Sequence, residues 1–239
     1  MDLELMVRSA PAIAAGLPMT LGLVVLSLLI GFVLAVVIAQ MRLSRYPVLS
    51  RFAAGYVFVI RGGPLLLQFY FIYYGLSQFR PFWEGIGAWP VLREAFWCAV
   101  IALALNTAAY TSEIIRGGIL SVPHGSVEAA RACGMSRLLV FRRIVLPIAF
   151  RQALPAYGNE VILMVKATSL ASIITIMEMT GIAKKLISQT FAVYEVFIVA
   201  GAIYLLINFL LTRVVKYAEW RLTPYLRERP APASTAAAP

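Results

Sequence analysis

Five stretches of this chain, at about 18–40, 52–79, 95–115, 153–177 and 195–215, are apolar over enough residues to cross a bilayer. A hydrocarbon core of roughly 30 Å takes about 20 residues of helix. Lipid offers no hydrogen bonds, so such runs must pair their own backbone groups, which for single stretches of this length means α-helices. The spacing therefore predicts an all-α membrane protein with five crossings and its two ends on opposite sides. With 61% hydrophobic and 13% charged residues, the chain is not a soluble domain. Its formal charge of +10 would suggest a polyanionic partner in a soluble protein. Here it points to cytoplasmic loops that hold the positive residues, and nucleic acid is not expected as a partner.

The distribution of Lys and Arg orients the chain. Arg42, Arg45 and Arg51 follow the first run; Arg116, Arg131, Arg137, Arg142, Arg143 and Arg151 follow the third; Arg213, Lys216, Arg221, Arg227 and Arg229 lie at the end of the last run or after it. These fourteen stand against five on the other side, Arg8, Arg80, Arg93, Lys184 and Lys185. The richer side is expected to be cytoplasmic, with the N-terminus outside and the C-terminus inside. Residues 1–17 have acidic residues before the first run and lack the basic start of a signal peptide, so they read as an extracytoplasmic segment. The bundle is expected over 18–220. Residues 221–239, rich in Ala and Pro, read as a disordered cytoplasmic tail.

Between the third and fourth runs lies Ser121–Pro147, SVPHGSVEAARACGMSRLLVFRRIVLP. Pro123 suits the first turn of a short helix, Glu128 complements its positive end, and Gly134 suits a left-handed residue that closes it. Ser136 can cap a second short helix that Pro147 limits. The segment thus reads as a helix, glycine turn and helix on the cytoplasmic side, a knob for a soluble partner. The plainer reading is a basic topological loop. The second connection, QFRPFWEGIGAWPVLRE, carries Trp83 and Trp89 and reads as an interfacial helix or short lid. Cys98 and Cys133 read as small packing residues, and His124 has no second ligand beside it, so no metal site is expected.

Ionisable groups within apolar runs are costly and face partners or cavities. Asn106, Tyr110 and Glu113 share one helix face by i, i+4, i+7 spacing. Asn106 and Tyr110 suit either interhelical hydrogen bonds or substrate contact. Glu113, three residues before Arg116, suits a structural ion pair. The fourth run holds Asn159, Glu160, Lys166, Thr168 and Ser169, with Pro155 and Gly158 to loosen its start. An amino-acid substrate needs a carboxyl partner for its cationic groups and donors for its carboxylate, and Glu160 is the carboxyl of that patch. Lys166 can pair with it only across helix faces. Arg61-Gly62-Gly63-Pro64 predicts a break in the second run, with Arg61 suited to a substrate carboxylate and Gln68 a further candidate.

At Glu128-Ala129-Ala130, Gly134, Ile144 and Leu146-Pro147 the knob resembles the EAA loop of binding-protein-dependent ABC importer permeases. The resemblance extends through RGGPLLLQ at 61–68, NTAAYTSEIIRGGI at 106–119 and LPAYGNEVILMVKATSL at 154–170, and covers nearly all of 18–220. It is strongest to the permeases for polar amino acids, in particular the histidine, lysine, arginine, ornithine and octopine or nopaline branch. Gly63 departs from the pattern, since such permeases more often carry Thr there. The resemblance implies the five-helix ABC importer permease (MetI-like) fold in a bacterial inner membrane, with Glu128, Ala129, Ala130, Gly134 and Pro147 docking into an ATPase. It also implies two ATPase subunits that use ATP, a second permease chain, either a relative or a copy, and an extracytoplasmic solute-binding protein. No cofactor is expected on this chain, and no GxxxxGK[ST] loop is present, so it is not read as an enzyme. A glutamine or glutamate permease is the alternative within the family. An ion-driven secondary transporter would need more crossings or an inverted repeat, and an intramembrane enzyme lacks a GxSxG element or an intramembrane histidine.

Overall fold

The computed structural model describes residues 2–222, and the regular structure among them is helical. The expectation for the tail beyond Leu222 lies outside the described residues. Helix α1 (Leu3–Ala14) precedes the first apolar run. Asp2 caps it by accepting from Leu5 N at 3.1 Å, and it packs against the later helices α11 (Met179–Thr190) and α12 (Val193–Leu222), burying Ser9 and Ile13. The N-terminal segment is thus folded onto the bundle.

The centre is the pair α2 (Leu17–Arg42) and α7 (Ala95–Leu120). Leu23, Val24, Ala99, Ala102 and Leu103 are buried between and around them. Gly31 sets their approach: a Cβ there would lie 2.2 Å from Thr107 Cγ2 and 3.0 Å from the Ala104 carbonyl. Small residues let helices come close where no hydrophobic drive separates lipid from protein, so the contact rests on van der Waals packing. Helix α10 (Leu146–Ala167) covers another face of α7, and α12, largely exposed, lies outside α10 and α1.

Helices α2, with α1 before it, α7 and α12 are each long and apolar enough to cross a membrane, and two bent pairs bring the number to five. The first bent pair is α3 (Pro47–Gly62) and α4 (Leu65–Tyr70), the latter running into a π-turn at Phe71–Gly75, with a 105° change of direction. Pro64 removes an N–H and drives Gly63 out of the helical region, to φ −91°, ψ 144°. The break falls where Arg61-Gly62-Gly63-Pro64 predicts it. Short helices α5 (Arg80–Gly85) and α6 (Trp89–Leu92) form the second connection, tied by Trp83 Nε1 donating to the Leu76 carbonyl at 2.8 Å.

The fourth run departs from expectation. Its helix starts at Arg137, running through α9 (Arg137–Val140), a π-turn (Phe141–Val145), α10 and a 3₁₀ stretch (Thr168–Ile174) before a 47° bend into α11. Pro147 therefore does not limit a second loop helix. The wide π-turn immediately before it leaves room for a ring that an unbroken α-helix would exclude. Pro155 and Gly158 accordingly sit inside α10 instead of at its start. Helix α11, at the end of this run, was not foreseen. Cys98 is buried as expected, whereas Cys133 is exposed at the end of α8 (His124–Ala132) and packs little.

Candidate functional site

The knob forms from its local signals. Pro123, in extended conformation, opens α8. Gly134 has φ +77°, and the bonds Gly134 N to Arg131 O (2.9 Å) and Met135 N to Ala130 O (3.2 Å) make a Schellman closure. Ser136 then caps α9, accepting from Leu139 N at 3.4 Å. Val122, Ala130 and Val140 are buried beneath, while Glu128 and Ala129 face outward. Two expectations change here. Glu128 is the fifth residue of α8, a turn past the positive end it was expected to complement. Pro147 lies beyond the π-turn in the long helix, apart from the knob surface.

Inside the bundle the break between α3 and α4 faces α7. Gln68 Nε2 donates to the Ile60 carbonyl at 2.8 Å and the Gly63 carbonyl at 3.3 Å, taking up groups freed where α3 stops. Its Oε1 accepts from Asn106 Nδ2 at 3.2 Å. Tyr56 OH donates to the Leu105 carbonyl at 2.6 Å. One turn beyond Asn106, the Tyr110 ring lies under the Arg61 guanidinium, 4.8 Å from centroid to Cζ. The shared face of Asn106 and Tyr110 is thus turned to the broken helix.

Glu160 on α10 is buried and its Oε1 accepts from Thr107 Oγ1 at 2.8 Å. Among the described residues Oε2 makes no hydrogen bond, and it is not one of the buried, unpartnered side-chain oxygens, of which Asn208 Oδ1 is the one. Thr107 adjoins Asn106 and stands one turn before Tyr110, whose ring lies against the Arg61 guanidinium. Arg61, Gln68, Asn106, Tyr110 and Glu160 therefore gather around one stretch of α7, which brings a carboxyl group and a guanidinium to the same region.

The remaining candidates lie apart from it. Lys166 is exposed and makes no ion pair with Glu160. Thr168 is buried and spends its hydroxyl on the Val165 carbonyl at 2.7 Å, and Ser169 bonds the Lys166 carbonyl at 2.7 Å. Asn159 is exposed. Glu113 makes the expected bond to Arg116, at 2.7 Å and 2.9 Å, and also takes Arg42 Nε at 3.0 Å, joining the ends of α2 and α7.

Sequence reading missed Glu178. It is fully buried at the bend before α11, where Oε1 accepts from Gly181 N at 2.8 Å and Oε2 from Thr180 N at 2.9 Å and Tyr204 OH at 2.7 Å. The signal was a carboxyl residue just past the fourth apolar run with Thr and Gly following, the pattern of a helix cap. Thr107 was also missed, although it adjoins Asn106.

Comparison with known proteins gives a consistent set. Residues 27–224 match the model of the family described as binding-protein-dependent transport system inner membrane component. The nopaline transport system permease protein NocM of Agrobacterium fabrum is 59% identical, covering 96% of this chain and 95% of that one. The arginine ABC transporter permease protein ArtM of Escherichia coli strain K12 is 39% identical, over 91% of this chain and 97% of its own. Among solved structures, one described as an amino acid ABC transporter with histidines superposes with a TM-score of 0.83 at 37% identity, covering 92% of this chain and 99% of that one.

Proposed function

Because the chain belongs to the binding-protein-dependent transport system inner membrane component family, we propose that it conducts a basic amino acid or an opine into the cytoplasm, drawing on ATP hydrolysed by a separate subunit. The chain is an inner-membrane permease subunit and not an enzyme, and its family works with ATPase and substrate-binding partners. In our reading the assembly holds two ATPases, a second permease chain, related or identical, and an extracytoplasmic binding protein. ATP binds only to the ATPases. Nopaline and arginine relatives favour a cationic substrate such as arginine, ornithine, lysine, histidine or an opine over glutamine or glutamate.

One observation carries the substrate reading: the carboxyl group of Glu160, held by Thr107 through one oxygen, stands on the stretch of α7 that also meets Arg61 through Tyr110, beside the broken helix. A cationic amino acid presents a carboxylate and one or more cations, so the pair complements both of its ends. Asn106, Gln68 and Tyr110 would hold this surface in shape. Glu160→Gln is expected to raise the KM for uptake of a cationic amino acid by about tenfold or more, the scale of one charge-assisted hydrogen bond. The ATPase subunits should still copurify. Unchanged uptake kinetics would remove Glu160 from the path.

The knob is the proposed ATPase contact, through Glu128, Ala129, Ala130 and Gly134, which requires it to lie in the cytoplasm with the N-terminus outside and the C-terminus inside. A phosphatase fused after Pro90 should accordingly be active, and one fused after Met135 inactive. The reverse pattern would place the knob on the wrong side.

A further inference from the structure

We propose that the chain holds an anionic phospholipid at the end of the bundle where the knob lies, with an acyl chain in an apolar groove and the phosphate bound by Arg45, Arg131 and Arg137. Two concave features carry this. A groove of about 430 Å³ runs between α2, α7 and α10, walled by residues such as Phe32, Val36, Ile115, Phe150, Leu154 and Tyr157. An open cleft of about 470 Å³ is lined by the three arginines.

The two features follow one another along the chain and in space. Leu43 and Phe141 line the groove; Arg45 comes two residues after Leu43, and Arg137 one helical turn before Phe141. None of the three arginines makes an ion pair among the described residues. Glu113 is taken by Arg42 and Arg116, and Glu128, one turn before Arg131, forms no ion pair with it among the described residues. Three converging like charges repel one another unless an anion joins them.

The occupant follows from the order of the two surfaces. The groove lies along helices that cross the bilayer, so lipid tails reach it and a soluble partner does not. A phospholipid carries a tail and one anion in that same order, and basic pockets at the ends of transmembrane helices suit anionic head groups. An acidic face of an ATPase would account for the arginines but leave the groove unexplained. The inference rests only on the chain crossing a membrane, so it stands or falls apart from the substrate.

Native mass spectrometry of the purified transporter complex, prepared from membranes containing phosphatidylglycerol and phosphatidylethanolamine, tests it. The unaltered complex should retain phosphatidylglycerol in preference. The triple variant Arg45→Gln, Arg131→Gln, Arg137→Gln should retain about a hundredfold less, given the attraction of each of the three arginines to anionic lipid. Val36→Trp and, separately, Leu146→Trp, which fill the groove and leave the arginines, should also lose the lipid while the ATPase remains bound. Undiminished phosphatidylglycerol in the triple variant overturns the proposal. So does a triple variant that sheds the ATPase but keeps its lipid, which would give the arginines to the protein contact. Full lipid retention in both groove-filling variants overturns the placement of the tail in the groove.

Discussion

Gly134→Val is expected to abolish ATP-driven uptake while the bundle still folds. The residue stands at φ +77°, and the Schellman bonds to Arg131 and Ala130 depend on that conformation. A β-branched residue there is a strong outlier, at a cost of about 1–3 kcal/mol, and the chain relieves it by leaving the left-handed region. Nothing lies within 4 Å of the position a Cβ would take, so crowding is not the cause and the defect is purely one of backbone. Gly134→Asn, which tolerates the left-handed region and has space, should keep much of the activity. The measurements are uptake, ligand-stimulated ATP hydrolysis and the amount of ATPase that copurifies. Normal values for Gly134→Val in all three would reduce Ser121–Pro147 to a topological loop.

Glu178→Ala should have the largest effect on stability. The side chain is fully buried and accepts three hydrogen bonds, from Gly181 N, Thr180 N and Tyr204 OH. Truncation orphans two backbone donors at the start of α11, leaves the Tyr204 hydroxyl only its 3.1 Å contact with Thr180 Oγ1, and opens a void. Each unsatisfied group costs about 1–3 kcal/mol, so the total is expected to reach several kcal/mol. Thermal unfolding of the purified complex should shift down and its yield from membranes fall. Glu178→Gln keeps an acceptor oxygen and should lie between the two. A midpoint for Glu178→Ala equal to that of the unaltered complex would show that the bend is held by packing alone.

Features coded by a few neighbouring residues were legible in the sequence. Pro64 after two glycines broke a helix because of its own missing N–H, and Gly134 closed one because of its own freedom in φ. The i, i+4, i+7 face of Asn106, Tyr110 and Glu113 was also legible, being helical arithmetic. Outcomes set by tertiary context were not. Pro147 carried the same local signal as Pro64 yet lies in a continuous helix, because a π-turn takes up its ring. Glu178 sat just beyond an apolar run, where polar residues read as loop, and the approach of Tyr204 from α12 and of Gly16 and Thr20 at the start of α2 is what buries this cap. In the fourth run, sequence distance misjudged which polar residues meet: Glu160 bonds Thr107 from another helix, while Lys166 on its own helix points away.

The unbroken rod from Arg137 to Ile174 has a mechanical meaning. At about 1.5 Å per residue, Glu160 stands roughly 35 Å along it from Arg137. A rigid lever of that length pivoted near Glu160 converts a tilt of about 10° into a travel of about 6 Å at the Arg137 end, more than one helical turn's rise. The added residue of the π-turn works as a gear tooth: it offsets everything after it by about 100° around the axis. The face that α10 presents to Thr107 is therefore indexed to the orientation of the segment that begins at Arg137, and without that extra residue a different face of α10 would meet α7.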